Sequence, residues 1–355
     1  MKQVVIDNIG LSLQCIGGLS VVWGNLLKAL NNSDLDYVCM EYPGCMNNMI
    51  RKDIQGLELE QYKPFTMRIE RYKDVSIDSN KPFIFHSSHY RICDNPNAIN
   101  ITTVHDFTYE RYRSGIPKWV HSWQKFRAIR KADVVVCISE STKKDVMHYL
   151  PDVPIDKIRV IHNGVSLDYK QILSSKYHDM NDYLIFVGSR YPYKKFDYLV
   201  ESIVNTNFKL AIVGGPLNQS EISFLNEKIG IERYKYMGFL TNEQLNELYN
   251  KAFCLAYPSV YEGFGIPVLE AQRAGCPVIA YDASSIPEVI GETPLLLNKL
   301  TKEELLSKLE LLKNQTVRNE VIKAGLENSN KFSWTKMGAE YISLYKELID
   351  RYNIH

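Results

Sequence analysis

The sequence predicts a parallel α/β protein of two domains. Short runs rich in β-branched residues alternate with segments whose apolar residues recur at helical spacing along most of the 355 residues. This alternation is typical of strands joined by crossover helices, and the length is enough for two domains with substantial cores. Because ligands bind beyond the carboxyl ends of the strands in such sheets, residues that follow predicted strands are the candidates for a functional site.

The composition argues against several classes of protein. Lys and Arg number 42 against 41 Asp and Glu, a formal net charge of +1, which makes nucleic acid a poor partner. The seven cysteines include no C-x-x-C pair, so we expect neither a disulfide framework nor a zinc site, and a reducing cytoplasm fits best. Residues 1–9 are typical of a strand rather than a signal peptide, and no apolar run approaches the roughly 18–20 residues of a membrane span, so membrane association should be peripheral.

The first predicted strand, residues 3–9, is followed by Gly17 and Gly18 and then by a helix over residues 19–30. The two glycines therefore lie at the functional edge of the sheet, where the alternative interpretation is a simple tight turn. The helix has an apolar stripe at Val22, Leu26, Leu27 and Leu30.

Asp34 and Asp36 form a D-x-D pair, a pattern that binds metal in some transferases. The pair lies between the first helix and the next strand, residues 37–40, at the opposite edge of the sheet. We interpret it as a solvated turn.

Two further buried strands are predicted over residues 82–86 and 99–104. Polar residues follow their carboxyl ends: Ser87, Ser88 and His89 after the first, His105 and Asp106 after the second. His86 is expected to be structural, and strand periodicity directs His86 and His89 to opposite sides, which argues against a shared metal. Asp106 could orient the histidine beside it, contact an acceptor or cap the following turn.

Residues 111–131 contain seven Lys or Arg and no Asp or Glu. A helix is predicted from Pro117, with Trp119, Trp123 and Phe126 on one stripe. One interpretation is a stripe that faces the core beneath a solvated basic face. The other is a surface that faces anionic lipid headgroups, beside a lipid-linked acceptor. The cations tested for that contact would be Lys118, Lys125 and Arg127.

After a further strand over residues 132–139 and a polar linker over residues 171–182, the second domain starts with a buried strand over residues 182–188. The loop beyond it contains Arg190, Lys194 and Lys195. Two cations there would neutralise a diphosphate as it leaves, whereas the alternative is a solvated basic loop. Residues 208–216 and 236–240 repeat the strand-to-glycine pattern.

Residues 256–280 contain the most informative stretch. An apolar run ends at Tyr257, a loop contains Glu262, Gly263 and Gly265, and a helix is predicted to open at Pro267. Glycines permit a close backbone approach, and the first turn of a helix offers amides and a positive dipole end to a phosphate. Glu262 and Glu270, the latter predicted in the first turn, would repel a phosphate, so we expect them to hold hydroxyls beside it. An acidic loop before an amphipathic helix is the alternative.

Glu262, seven intervening residues and Glu270, set in PSVYEGFGIPVLEAQRAGCPVIA, resemble the E-x7-E signature of the GT4 family, retaining glycosyltransferases of the GT-B fold. The resemblance covers nearly the whole chain. It implies two Rossmann-like parallel-sheet domains that face each other across a cleft. The acceptor-side domain would span residues 1–170, the donor-binding domain residues 171–335, and a last helix over residues 336–355 would cross back to the first domain.

The resemblance implies a retaining transfer of a hexose-type sugar, with mannose as the first expectation, from a nucleotide diphosphate donor to a hydroxyl of a saccharide acceptor. The acceptor would be lipid-linked, in bacterial cell-surface polysaccharide assembly at the inner face of the membrane. No cofactor or metal is expected, because Arg190, Lys194 and a helix dipole would carry the diphosphate charge. Two alternatives remain: a sugar-nucleotide epimerase of the same fold, and a noncatalytic subunit that binds nucleotide sugars.

The resemblance also implies roles for residues. Glu262 would hold the sugar hydroxyls and the positive charge near the anomeric carbon, Glu270 the ribose hydroxyls, and His105 the transferred sugar. Lys194 occupies the position of the family's lysine, whereas Arg190 lies one place later than the usual arginine. No carboxylate nucleophile is evident, so the departing phosphate would take the acceptor proton. The further donor-side residues are Gly17, Gly18, Lys195, Gly214, Gly238, Phe239, Leu240, Gly263, Phe264, Gly265 and Ile266, and the acceptor-side candidates are Asp106 and His89.

Overall fold

The structure is a computed structural model that describes residues 2–15, 17–64, 66–173, 176–177 and 180–354. The chain divides into two compact units: Met1–Gly164 together with Trp334–His355, and Val165–Ser333. Four residues of the predicted linker, Ser174, Ser175, His178 and Asp179, lie outside the described residues.

Each unit contains one sheet whose named strands pair in parallel, so the predicted parallel α/β architecture is confirmed. The strand order is β3-β2-β1-β4-β5-β6-β7 in the first unit and β10-β9-β8-β11-β12-β13 in the second. The first sheet consists of β1 Val4–Asp7, β2 Tyr37–Glu41, β3 Leu59–Gln61, β4 Phe83–Ser87, β5 Ala98–Val104, β6 Val134–Cys137 and β7 Ile158–Val160. The second consists of β8 Tyr183–Val187, β9 Lys209–Val213, β10 Tyr234–Gly238, β11 Cys254–Tyr257, β12 Val278–Tyr281 and β13 Leu296–Leu297.

Helices connect these strands. Those of the first unit are α1 Ile9–Leu13, α2 Gly18–Asn31, α3 Met67–Glu70, α4 Thr108–Tyr112, α5 Gly115–Lys131, α6 Glu140–Tyr149 and, at the end of the chain, α14 Trp334–Arg351. Those of the second unit are α7 Phe196–Ser202, α8 Gln219–Lys228, α9 Asn242–Lys251, α10 Ile266–Arg273, α11 Ile286–Ile290, α12 Lys302–Leu311 and α13 Gln315–Ser329. Single 3₁₀ turns occur at Cys45–Asn47, Arg51–Asp53, Ile155–Lys157, Pro192–Lys194 and Ile231–Arg233.

The core of the first unit lies on both faces of β1, whose four residues are buried. The predicted apolar stripe of α2 is buried, and so is the stripe of α14, which contains Met337, Tyr341, Leu344 and Leu348. His86 is fully buried in β4 and hydrogen-bonds to Tyr345 at 2.7 Å and Thr103 at 2.8 Å. Burial lowers the pKa of His86 to about 3, so it is a neutral structural residue, as predicted.

Several predicted boundaries differ in detail. The first strand ends at Asp7 rather than residue 9, and Ile9 begins the short helix α1. Helix α10 begins at Ile266, one residue before Pro267, so Glu270 lies in its second turn and the prediction of a first-turn carboxylate was wrong. Helix α9 begins with a capping box formed by Thr241 and Gln244.

The D-x-D pair is a surface turn. Asp34 pairs with Lys346 at 2.7 Å and Asp36 pairs with Lys2 at 2.6 Å, and at least half of each carboxylate side chain is exposed. Each carboxylate is thus neutralised by a lysine, as suits a solvated turn.

The two tryptophans of the α5 stripe do not face the core, so that interpretation was wrong for them, whereas the ring of the partly buried Phe126 lies 6.4 Å from that of the buried Phe107. Trp119 is 74% exposed and Trp123 is 58% exposed, whereas Lys125 on the same helix is fully buried. The helix also begins at Gly115 rather than Pro117. Lys125 can be buried in place of the tryptophans because its ammonium donates to the Glu110 carboxylate at 2.7 Å. Among the described residues, no helix combines the length and apolar character that a membrane crossing requires.

Candidate functional site

The loop between β11 and α10 is held from beneath by two serines. The Glu262 N–H donates to Ser284 Oγ at 2.9 Å, and Ser285 Oγ donates to the carbonyls of Glu262 at 2.9 Å and Phe264 at 2.8 Å. Ser284 adopts a left-handed backbone conformation, with φ of +51°, which is uncommon for a residue other than glycine and is a mark of functional loops. The serines therefore fix the backbone that presents Glu262.

Gly265 forms the N-cap of α10. Its φ is +108°, and a Cβ there would lie 2.9 Å from Ile286 Cδ1, so glycine is required for both conformation and space. Glycine has no capping side chain, so the Ile266 amide can face a ligand, whereas Pro267 has no N–H and the Val268 N–H donates to the Gly265 carbonyl at 3.0 Å. Phe264 is buried and packs edge-to-face against Phe332 at 5.8 Å, so only its backbone can face a donor. Gly263 and Ile266 flank this turn and are partly exposed.

Glu262 forms an ion pair with Lys194, whose ammonium lies 2.5 Å from Oε1. Both side chains are 12% exposed, and the ammonium also lies 5.5 Å from the ring centroids of Tyr193 and Tyr257. Lys194 is predicted to bind a diphosphate and Glu262 to bind sugar hydroxyls, whereas in the structure the two side chains form an ion pair with each other. A diphosphate that binds here would either share the Lys194 ammonium with Glu262 or replace Glu262 as its partner.

Arg190 also has a carboxylate partner, Glu221. Arg190 Nε donates to Oε1 at 2.6 Å and Nη2 to Oε2 at 3.2 Å and to the Pro216 carbonyl at 2.7 Å. Glu221 is held in turn by the N-terminal capping box of α8, because its Oε2 accepts from the Asn218 N–H at 2.8 Å. Arg190 Nη1 is buried and has no hydrogen-bond partner in the described part of the chain. Glu221 thus fixes the orientation of the guanidinium and leaves Nη1 for a ligand.

A cavity of about 500 Å³ lies beside this guanidinium, within the second unit. Its lining includes Gly188, Gly214, Asn218 and the 76%-exposed Phe239. Gly214 has a φ of +136°, and a Cβ there would lie 2.7 Å from the Gly188 carbonyl oxygen, so only glycine fits.

Three further residues of this unit are predicted on the donor side: Lys195, Gly238 and Leu240. Gly238 has a positive φ of +70°, Leu240 is partly exposed, and Lys195 has a φ of +55° at the N-cap of α7.

Glu270 is partly buried on α10 beside two tyrosines. The Tyr249 hydroxyl donates to Oε2 at 3.5 Å. Burial raises the pKa of Glu270 to about 7, against the opposing effect of hydrogen bonds from Tyr169 and Tyr249. The carboxyl group therefore changes protonation near neutral pH.

The first unit places His105 and Asp106 directly after β5. Burial, against the opposing charge of Asp106 and with a smaller contribution from the charge of Lys125, lowers the pKa of His105 to about 4, so the imidazole is neutral. Asp106 Oδ1 accepts from the Thr108 N–H at 3.1 Å, and the Asp106 carbonyl accepts from the buried Lys125 ammonium at 2.8 Å. The capping alternative for Asp106 is thus the one observed. A buried lysine supports the loop that presents His105.

The remaining first-unit candidates are Gly17, Gly18 and His89. Gly17 is the N-cap of α2 and Gly18 its first residue. A Cβ at Gly18 would meet no described atom within 4 Å, so open space lies beside that residue. His89 follows β4, and burial lowers its pKa to about 3. Within the described residues, no group of three His, Cys, Asp or Glu side chains is placed to hold a metal ion.

Two sheets of parallel strands, with glycine turns and ion-paired cations at strand ends, are typical of glycosyltransferases of the GT-B fold. The family model described as glycosyl transferases group 1 matches residues 170–328, and the model described as Glycosyltransferase Family 4 matches residues 16–169. The chain belongs to the GT4 family of glycosyltransferases.

Curated relatives are similar at low identity. The O-antigen chain mannosyltransferase B of Escherichia coli is 23% identical over 316 residues, which are 83% of this chain and 81% of that protein. The serotype-specific mannosyltransferase WbdA of Escherichia coli is 28% identical over 277 residues, 70% of this chain; the matched part is only 34% of its length.

Solved structures support the fold. The crystal structure of Anabaena HepE in complex with UDP and glucose has a TM-score of 0.71 and 16% sequence identity, and the match covers 98% of this chain and 100% of that one.

The contact between Glu221 and Arg190 generates a prediction for nucleotide binding. Glu221→Ala releases the guanidinium, so the dissociation constants of UDP and GDP, measured by calorimetry, should rise about tenfold for whichever nucleotide binds the wild type, the ~1.4 kcal/mol expected of a positioned charged hydrogen bond. Glu227→Gln is the control, since Glu227 lies on the same helix with a 72%-exposed side chain. Equal affinities of Glu221→Ala and wild type would contradict the positioning role.

The raised pKa of Glu270 generates a prediction for stability. Between the ordinary value of 4.5 and about 7, the folded protein keeps a proton on Glu270 that the unfolded chain has lost. Raising the pH through this window therefore lowers the free energy of unfolding. Glu270→Gln lacks the effect, so its Tm relative to wild type should increase between pH 5 and pH 8 in scanning calorimetry. A pH-independent Tm difference, as expected for Glu227→Gln, would rule out the raised pKa.

Proposed function

We propose that the protein transfers a hexose, with mannose as the first candidate, from a nucleotide diphosphate sugar to a hydroxyl of a saccharide acceptor, with retention of anomeric configuration. The main support is the arrangement at the end of β11, where Glu262, its partner Lys194 and the first residue of α10, Ile266, meet. Such a site combines a carboxylate for sugar hydroxyls with a cation and a backbone amide for a phosphate.

The choice of sugar and pathway rests on the relatives. Two of them bear names that state mannosyl transfer, an O-antigen chain mannosyltransferase and a serotype-specific mannosyltransferase. The structural neighbour HepE was crystallised with UDP and glucose, so the base of the donor needs to be tested. We assign the protein to cell-surface polysaccharide assembly at the inner face of the membrane, with a lipid-linked acceptor.

The proposed reaction proceeds on one face of the sugar. The acceptor oxygen forms a bond to the anomeric carbon as the bond from that carbon to the phosphate oxygen breaks, and the acceptor proton moves to the departing phosphate. Lys194, the free nitrogen of Arg190 and the Ile266 amide at the start of α10 stabilise the negative charge on the diphosphate. Glu262 accepts hydrogen bonds from sugar hydroxyls and stabilises the positive charge near the anomeric carbon. Neutral His105 hydrogen-bonds to the transferred sugar, and Glu270 binds the ribose.

A panel of nucleotide sugars tests this proposal. The matching donor should raise the Tm by several degrees at saturation, because binding to the folded state adds a few kcal/mol of apparent stability. With that donor and a saccharide acceptor, Glu262→Gln should lower kcat by about 10²-fold or more, whereas Glu270→Gln should mainly raise the donor KM. NMR of the product should show a retained anomer, and EDTA should leave the rate unchanged.

Three outcomes would contradict the proposal. A new nucleotide sugar formed without acceptor would indicate an epimerase, and tight donor binding without turnover for any acceptor would indicate a noncatalytic subunit. A rate lost in EDTA and restored by Mg²⁺ or Mn²⁺ would contradict the metal-independent account.

Peripheral membrane contact through α5 is a second part of the proposal. Its support is a group of exposed apolar side chains, Ile116, Trp119, Val120 and Trp123. The expectation that Lys125 and Arg127 face anionic headgroups needs correction, because Lys125 is buried against Glu110 and Arg127 pairs with Asp74. We therefore assign the contact mainly to the apolar side chains, which enter the interface between headgroups and acyl chains.

Flotation with phosphatidylglycerol vesicles tests the membrane contact. Trp119→Ser combined with Trp123→Ser should reduce the bound fraction at least tenfold, because the buried indole area is lost. Met147→Ser combined with Ile155→Ser removes two other exposed apolar side chains of the same unit, 42% and 57% exposed, and should bind like wild type. Equal loss in both double variants, or no binding by wild type, would remove the assignment.

A further inference from the structure

A cluster of buried polar atoms without partners lies in the first unit, between the segment after α3, the end of β4 and helix α5. Within the residues that the structure describes, four side-chain atoms there have no hydrogen-bond partner: Arg71 Nε, His89 Nδ1, His121 Nδ1 and Gln124 Oε1. Leaving one such atom buried and unpaired costs about 1–3 kcal/mol. Those of Arg71, His89 and Gln124 indicate a site that a polar ligand completes, whereas His121 Nδ1 lies near the Glu110 carboxylate.

Direct contacts bring these side chains together. Arg71 Nη2 lies 3.2 Å from His89 Nε2, and Gln124 Nε2 donates to the Arg71 carbonyl at 2.5 Å. The ring of Tyr90 lies edge-on to both imidazoles, 5.6 Å from His89 and 5.5 Å from His121. Arg71 and His89 each keep part of their surface exposed, although their free nitrogens are buried, so the site meets solvent at its edge.

The free atoms of Arg71 and His89 are both donors. Because the guanidinium donates to His89 Nε2, the proton of that neutral ring is on Nδ1. Two N–H donors beside a positive charge select an oxyanion. The remaining free nitrogen, His121 Nδ1, lies 3.9 Å from Glu110 Oε1, so we do not assign it to the ligand.

Arg71 differs from the other buried cations of this region. Arg91 pairs with Asp7 and Glu70, and Lys125 pairs with Glu110. Among the described residues, Arg71 forms no ion pair with a carboxylate, and its neighbours are His89 and the ring of Tyr72, 5.2 Å from the guanidinium carbon. Its charge is therefore available to a ligand.

The flanks of the cluster are apolar and exposed. Ile69 is 56% exposed, and Tyr72 and Trp123 are exposed as well. The hydrogen bond between Gln124 and the Arg71 carbonyl joins the two segments that present these side chains. An oxyanion site with apolar side chains on its flanks fits the phosphate of an amphiphile better than a free inorganic anion.

We propose that Arg71 and His89, with Gln124, form a subsite for the phosphate group of an amphiphilic acceptor, a saccharide carried on a lipid phosphate. The N–H groups of Arg71 and His89 bind phosphate oxygens, and Gln124 Oε1 accepts from a hydroxyl next to the phosphate. Ile69, Tyr72 and Trp123 contact the chain. The inference rests on the proposed function, because it names the class of its acceptor.

The test uses the full chain labelled with ¹⁵N-histidine and three probes: dodecyl phosphate, inorganic phosphate and dodecyl maltoside. Dodecyl phosphate should shift the ring resonances of His89 in wild type at concentrations below its micelle formation. The apparent affinity should fall at least tenfold in Arg71→Gln and less in Arg71→Lys, which keeps the charge. It should stay unchanged in Arg130→Gln, whose guanidinium is exposed on α5 and pairs with Asp152. Inorganic phosphate should bind the same site more weakly, and dodecyl maltoside should leave His89 unshifted.

Several outcomes would overturn the subsite. These are an affinity for dodecyl phosphate unaffected by Arg71→Gln and Arg71→Lys, an equal shift with dodecyl maltoside, or saturation of His89 by phosphatidylglycerol vesicles in place of dodecyl phosphate, which would indicate a membrane headgroup site. Nucleotide-sugar binding in thermal shift depends on the second unit, so it reports on the proposed function separately. A donor that binds normally to a protein without the phosphate response would remove the subsite alone.

Discussion

Parallel strand pairing is the constraint on which the arrangement of both units depends. Each strand of a parallel sheet must be followed by a crossover that returns the chain to the other edge, so all carboxyl ends of one sheet meet at one edge. In the second unit this brings together the turns after β8, β9 and β11, which are far apart in the chain. Arg190, Gly214 and Glu262 come from these three turns. The site is therefore a direct product of topology, because its residues come from three separate strand ends of one sheet.

The charges at this edge are paired before any ligand binds. Lys194 lies against Glu262 and Arg190 against Glu221, which avoids the cost of leaving partly buried charges without partners. The two pairs have different consequences for a diphosphate. The lysine has one flexible ammonium that must be shared, whereas the arginine is held by two nitrogens and keeps a third free. The arginine is thus preorganised, and the lysine adjusts on binding.

The order of the strands and helices and the main motifs of the site could be predicted from the sequence, because their signals lie in short stretches of the chain. Strand and helix order follow from the period of apolar residues, and the glycine turns and the E-x7-E spacing are local as well. Side-chain partners that are far apart in the sequence could not be predicted. Glu221 is 31 residues from Arg190, and its only local signal is the capping box that it forms with Asn218. Ser284 and Ser285 lie near the expected edge, but nothing in their spacing says that they hold the Glu262 loop.

Helix α5 illustrates why an apolar pattern alone misleads. Pattern reasoning assigns tryptophans to the core and lysines to solvent, yet here the buried residues of the helix include Ser122, Gln124 and Lys125. Glu110, on the preceding helix, accepts from both Ser122 and Lys125. Against the effect of burial, the nearby His121, the Lys125 charge and these hydrogen bonds lower the pKa of Glu110 to about 2. A buried ion pair of this kind adds little net stability compared with apolar packing. Its effect is to turn the aromatic side of α5 outward and to fix the Asp106 carbonyl, and with it the loop of His105.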